Sequence, residues 1–109
     1  MNKTQLLQGT LDVLILRILE LGPNHGWGIA TRLQQMSKDG LKTSQGSLYP
    51  ALHRLEMRGE VTSEMTASEN NRRARVYTIT RAGRKRLNQE TQLWDAFALA
   101  MRRVLGAGR

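Results

Sequence analysis

The chain has 109 residues, a length that suits one domain with a modest core and is short for two. Hydrophobic residues make up 39% and charged residues 24%, the balance of a chain that folds, which fits neither a disordered protein nor a membrane protein. Seventeen Lys and Arg against nine Asp and Glu give a formal charge of +8, pointing to a polyanionic partner, nucleic acid before an anionic membrane surface. The absence of cysteine excludes disulfides, thiolate metal sites and a cysteine nucleophile. Two histidines alone make a poor metal site, so no cofactor is expected.

The first element is a helix, with Leu7, Leu11, Leu14, Ile18 and Leu21 at helical spacing and Gly22-Pro23 as its stop. Val13, Leu16 and Leu19 occupy its other faces. That surplus fits either a central helix buried all round in its own domain or a helix that also meets a second copy. Asp12, Arg17 and Glu20 interrupt the stretch, which argues against a membrane span, and Asp12 with no small-residue cleavage site after the run argues against a signal peptide; the expected location is the cytoplasm.

After a loop over 22–26, Ile29, Leu33 and Met36 mark a second helix, capped near Lys38-Asp39-Gly40. Thr43 and Ser44 are candidate N-caps of a third, whose stripe is Leu48, Leu52 and Leu55 and whose stop is Gly59. Pro50 lies inside this pattern and predicts an irregular or 3₁₀ first turn.

From Glu60 the period changes to two. Val61, Ser63 and Met65 alternate with Thr62, Glu64 and Thr66, and Arg75 to Thr80 is rich in β-branched and aromatic residues, so the two runs pair as a hairpin. The loop between them, 67–74, carries Asn70, Asn71, Arg72 and Arg73. A last helix runs from Thr80 or Arg81 to Leu105, with Leu87, Trp94, Ala98, Met101 and Leu105 along a seam like a short coiled-coil face. Trp27, at the start of the second helix, and Trp94 are expected in a core or interface. The fold class is therefore mainly α with a small β-hairpin, one compact unit made of a body over 1–80 and a last helix over 81–109.

Three helices, a hairpin and one further helix is the order of a winged helix-turn-helix. The runs Gly9-Thr10-Leu11-Asp12, His25-Gly26-Trp27-Gly28-Ile29, Gly46-Ser47-Leu48-Tyr49-Pro50-Ala51-Leu52-His53-Arg54-Leu55-Glu56, and Arg72-Arg73 followed by 77–83 make the chain resemble the PadR family of bacterial transcriptional regulators, from about residue 6 to residue 94. The single helix after the hairpin resembles the smaller subfamily. Two departures stand out: Met65-Thr66 where many members have Trp-Gly, and Asn70-Asn71 where many have glycine at the hairpin turn.

The resemblance implies a homodimeric repressor that binds an inverted-repeat operator in double-stranded DNA. In this motif the third helix enters the major groove with its N-terminal residues facing base edges. Thr43, Ser44, Gln45, Ser47, Tyr49, His53 and Arg54 are its candidate DNA contacts, with Gln45 suited to pair bidentately with adenine. Arg72, Arg73 and Arg75 suit a wing lying on the phosphate backbone or in a narrow minor groove. Ten of the seventeen basic residues follow position 70, against Glu90 and Asp95. Leu11, Leu87, Trp94, Met101 and Leu105 are the candidate dimer contacts. Trp94 also matches the position at which some family members of this size bind flat aromatic compounds, so an aromatic inducer is a possible partner.

A different class, an unspecific nucleoid- or RNA-coating protein, would use the charge alone and would not need a polar cluster at the start of the third helix. An enzyme is not expected. Ser47 and His53, the obvious nucleophile and base, lie about 240° apart around a helix and cannot meet.

Overall fold

A computed structural model describes residues 3–67 and 73–107, with side chains from residue 9 onward. The elements run α1 (Lys3–Glu20), β1 (Asn24–His25), α2 (Gly26–Met36), α3 (Gln45–Met57), β2 (Val61–Ala67), β3 (Arg73–Ile79) and α4 (Arg81–Gly106). Among the described residues, no helix is long and apolar enough to cross a membrane.

The core forms around α1. Leu11, Ile15, Leu16, Ile18 and Leu19 are all buried, because α2, α3, α4 and β3 pack on different sides of the helix. Of the two readings of its surplus apolar faces, the central helix accounts for these five. Ile29 and Leu33 from α2, Leu48, Ala51, Leu52 and Leu55 from α3, Val61, Tyr77 and Ile79 from the sheet, and Leu87 from α4 close the cluster. Each fully buried Leu or Ile contributes about 1.5–3 kcal/mol by leaving water. Burial also pushes the Tyr77 phenol above its ordinary 10.0, with the Arg75 charge acting in the opposite direction.

Two expected dimer contacts change place here. Leu11 and Leu87 are spent on the chain's own core, at 8% and 3% exposure, since the first turns of α4 lie against α1.

Polar side chains set the helix starts. Ser44, and not Thr43, caps α3 by accepting the Ser47 N–H; Thr80 caps α4 by accepting the Gly83 N–H; His25 caps α2 through Nδ1, which accepts the Gly28 N–H. The α3 helix runs as α-helix through Pro50, against the expected 3₁₀ turn. The bond that Pro50 cannot make is the one to the Gly46 carbonyl, and both residues are exposed, so water can take its place.

The sheet has three strands in the order β1-β3-β2, all antiparallel. β2 and β3 pair from Val61 with Ile79 to Ala67 with Arg73. Arg73 and Ala74 therefore belong to the strand, because Thr66 and Ala67 supply partners for them. β1 adds Asn24 and His25 opposite Tyr77 and Val76, where the sequence suggested only a loop.

Gly83 fixes the junction between the sheet and α4. Thr80 donates its N–H to the Glu60 carbonyl, and its Oγ1 donates to the Gly59 carbonyl, drawing α4 onto the end of α3. A Cβ at Gly83 would overlap the Glu60 carbonyl oxygen and press on Ile79 at 2.8 Å. Backbone cannot yield there as a side chain would. Gly83→Ala is expected to cost about 1–3 kcal/mol, read as a lowered urea midpoint at fixed protein concentration; an unchanged midpoint would contradict the close approach.

Candidate nucleic-acid interface

The exposed side of α3 carries most of the candidate contacts. Its buried stripe is Leu48, Ala51, Leu52 and Leu55. At 100° per residue, Tyr49 and His53 step outward from one edge of that stripe and Ser47 and Arg54 lie on its other flank, while Gln45, in line with Leu48 and Leu52, is exposed where it opens the helix. Gln45, Ser47, Tyr49 and His53 are exposed, and Thr43 is half-buried just before the helix. Ser44 and Ser47 are tied to each other, since the Ser44 hydroxyl both accepts the Ser47 N–H and meets the Ser47 hydroxyl at 3.4 Å. Thr43 turns its hydroxyl to the Ser44 carbonyl.

Arg54 departs from the expectation of a side chain offered outward. Its guanidinium donates to Asp12 Oδ1 at 3.1 Å, and the side chain is only 36% exposed. The carboxylate of Asp12 lies buried beneath it, so the arginine is held against α1.

Tyr49 stands 45% exposed, with its ring over the first residue of α2. A Cβ at Gly26 would lie 2.8 Å from Tyr49 Oη, so the glycine of the His-Gly-Trp-Gly run lets the start of α2 come up beside the outward side of α3. Trp27, expected in a core or interface, is 70% exposed. It sits two residues before Ile29, off the buried stripe of α2, and stacks on His25 with ring centroids 6.3 Å apart.

The hairpin adds positive charge on the α3 side. Arg75 donates to Ser63 Oγ at 3.0 Å, and Ser63 donates to the Glu56 carboxylate of α3, a chain of bonds across β3, β2 and α3. Arg73 is exposed at the open end of the hairpin. Arg72 lies outside the described residues, as do Asn70 and Asn71. Met65, at one family departure, is exposed on β2.

Along the outer half of α4, the described residues leave most large apolar side chains in solvent. Leu93, Trp94, Phe97, Leu99, Met101, Val104 and Leu105 are all exposed, and Trp94 meets Phe97 at 5.9 Å between ring centroids. Trp94, Phe97, Met101, Val104 and Leu105 lie on one stripe. Phe97 and Val104 fall outside the seven-residue pattern because they occupy its neighbouring seam positions. The chain extends 59 Å along its longest axis against 28 and 25 Å across, because α4, about 39 Å long at 1.5 Å per residue, projects beyond the core. Among the described residues, no group of three His, Cys, Asp or Glu side chains is placed to hold a metal.

This arrangement, a three-helix core with a two-stranded wing and a projecting final helix, is a winged helix-turn-helix. The sequence profile of the transcriptional regulator PadR-like family matches residues 15–89, and the chain belongs to that family. A transcriptional regulator of Mycobacterium tuberculosis is 41% identical over 73 residues, covering 67% of this chain and 64% of that protein. The chain thus aligns with a little under two thirds of that relative's length. A PadR-like transcriptional regulator from Bacillus cereus has a similar structure, with a TM-score of 0.80 and 27% identity over 96% of this chain and 99% of the other. Bacillus subtilis PadR, solved in complex with operator DNA, shares the fold at a TM-score of 0.69 and 23% identity, over 75% of this chain and 46% of its own.

Proposed function

We propose that this regulator is a homodimeric repressor that binds an inverted-repeat operator in double-stranded DNA. Residues 1–80 would read the DNA and α4, within 81–109, would join the copies. The observation that carries the proposal is the pairing of two unsatisfied surfaces: the polar, outward side of α3 flanked by a basic hairpin, and the apolar stripe of α4. Five large apolar side chains in one stripe are more than a lone soluble chain leaves in water, and a second α4 would cover them by symmetric packing. Family membership and the fold shared with an operator-bound regulator support the DNA partner. A regulator working on a promoter acts in the cytoplasm, at the nucleoid.

Within this reading, Gln45, Ser47, Tyr49 and His53 face base edges or phosphates, Thr43 and Ser44 order the helix start, and Arg72, Arg73 and Arg75 lie along the backbone. Trp94, 56% exposed beside Phe97, would pair with its counterpart across the dimer axis and form a slot for a flat aromatic inducer. Trp94, Met101 and Leu105 remain the proposed dimer contacts, joined by Phe97 and Val104.

Selection of genomic DNA fragments by the purified protein at physiological salt is expected to yield an inverted repeat; a set with no motif would favour the coating protein instead. On the selected site, Gln45→Ala should cost about 1–3 kcal/mol at one base pair of each half-site. Arg73→Ala should weaken binding to every duplex by a similar factor and lower the salt slope by about 0.9, the share of a single neutralised phosphate. Equal losses on selected and random DNA for Gln45→Ala would show that Gln45 does not read a base.

Sedimentation at micromolar concentration is expected to show a dimer, and Trp94→Glu with Met101→Glu a folded monomer. A wild-type monomer would contradict the proposal. A planar aromatic dye should quench tryptophan fluorescence in the dimer and lose affinity in Trp94→Ala, whereas unchanged affinity would remove Trp94 from the ligand site.

A further inference from the structure

A buried ionic cluster ties the helix that faces outward with the candidate contacts to the helix that carries the apolar stripe. Asp12 of α1, its side chain 6% exposed, sits between them. Oδ1 accepts from Arg54 of α3 at 3.1 Å, while Oδ2 lies 3.8 Å from Arg86 of α4 and 3.9 Å from Arg58 at the end of α3. Arg86 is also bonded to Glu60 Oε1 at 2.7 Å, and Glu60 leads directly into β2. Two carboxylates, Asp12 of α1 and Glu60 at the base of the wing, thus hold three guanidiniums, two from α3 and its C-cap and one from α4.

Packing alone does not make this link. Both α3 and α4 lie on α1, with little direct contact between them. Apolar side chains on α1 allow small sliding and rotation, because burial is non-directional. The hydrogen bonds of the cluster, Arg54 to Asp12 and Arg86 to Glu60, are directional, since each has a preferred distance and angle, and Arg86 and Asp12 join the two by charge at 3.8 Å. Buried ion pairs are weak contributors to stability relative to apolar residues of similar volume, and their best-attested use is to fix register.

We infer that Asp12 is a positioning residue for DNA recognition: it fixes the angle of α3 to α4, and so the separation of the two reading helices in the dimer. The inference rests on the operator-binding dimer proposed above. In such a dimer α4 is the common base, so any play between α3 and α4 appears twice in the span between half-sites. The cluster also passes a displacement of α4, such as one caused by a ligand at Trp94, directly to α3 through Arg86, Asp12 and Arg54.

The test uses the full-length dimer and a set of operators whose half-sites are identical and whose spacer is lengthened or shortened one base pair at a time. Wild type is expected to prefer one spacing by about tenfold or more, and Asp12→Asn to compress that preference to less than about threefold. Its affinity for an isolated half-site should stay unchanged. Asp12→Glu, which keeps the carboxylate, should restore the preference in part. Because the chain has no cysteine, a spin label on Met57→Cys gives a second readout without DNA: a narrow distance distribution between copies in wild type and a broadened one in Asp12→Asn.

Asp12→Asn that is less stable yet keeps the wild-type spacing preference and a narrow distribution would overturn the inference, leaving Asp12 a fold staple. Should Asp12→Asn fail to fold, Arg86→Gln cuts the α4 arm alone, and the same loss of spacing preference is expected; retention of the preference in Arg86→Gln would overturn it equally. A wild-type protein indifferent to spacing would instead refute the dimeric operator reading, and the inference would fall with it.

Discussion

Every other element of this molecule takes its position from α1. Its buried side chains, Leu11, Asp12, Ile15, Leu16, Ile18 and Leu19, span a broad arc of the helix, and in a chain this short covering that arc uses α2, α3, β3 and the first turns of α4. The consequences run outward from there. The buried stripe of α3 is committed to the core, which turns Tyr49 and His53 to solvent. The first turns of α4 are committed as well, through Leu87 and the close approach at Gly83, and among the described residues the remainder of the helix keeps its large apolar side chains exposed. One constraint thus creates both exposed surfaces, the polar one and the apolar one.

What was legible in the sequence was what is local. Ser44, Thr80, Gly59 and the Gly22-Pro23 stop mark helix ends through caps and turns within a few residues, and the change of period at Glu60 announces the hairpin. Gln45, Ser47, Tyr49 and His53 are legible from the geometry of the helix-turn-helix motif, in which the start of the third helix faces outward, and all four are exposed. What stayed hidden depends on distant partners. β1 is two residues long, too short for any alternation to show, and exists because β3 has a free edge at Val76 and Tyr77. Leu11 and Leu87 look like seam residues along their own helices and are core residues only when the helices meet. Asp12, legible as a break in an apolar run and as the end of the Gly9-Thr10-Leu11-Asp12 run, finds Arg54 across 42 positions of chain.

The arginines divide into two kinds for the same reason. Arg54 and Arg86 are neutralised inside the chain by Asp12 and Glu60, whereas Arg73 stands on the hairpin in water. Formal charge counts both alike, yet only the second kind is free to displace counterions from a phosphate backbone. The excess of basic residues after position 70 therefore overstates the charge offered to a partner by those, such as Arg86, that the fold consumes. The His-Gly-Trp-Gly run shows the same separation: Gly26 is there for the Tyr49 ring, His25 for the helix cap, and Trp27 alone is left outside.

In the proposed assembly two copies, joined along α4, present two α3 helices to one face of a DNA duplex. Hydroxyl-radical footprinting of the wild-type protein on its selected site tests this central claim most directly. Two protected segments are expected, related by the symmetry of the site, with centres about 10–10.5 base pairs apart or a multiple of that. A single short protected segment, or uniform protection that spreads with protein concentration, would contradict it.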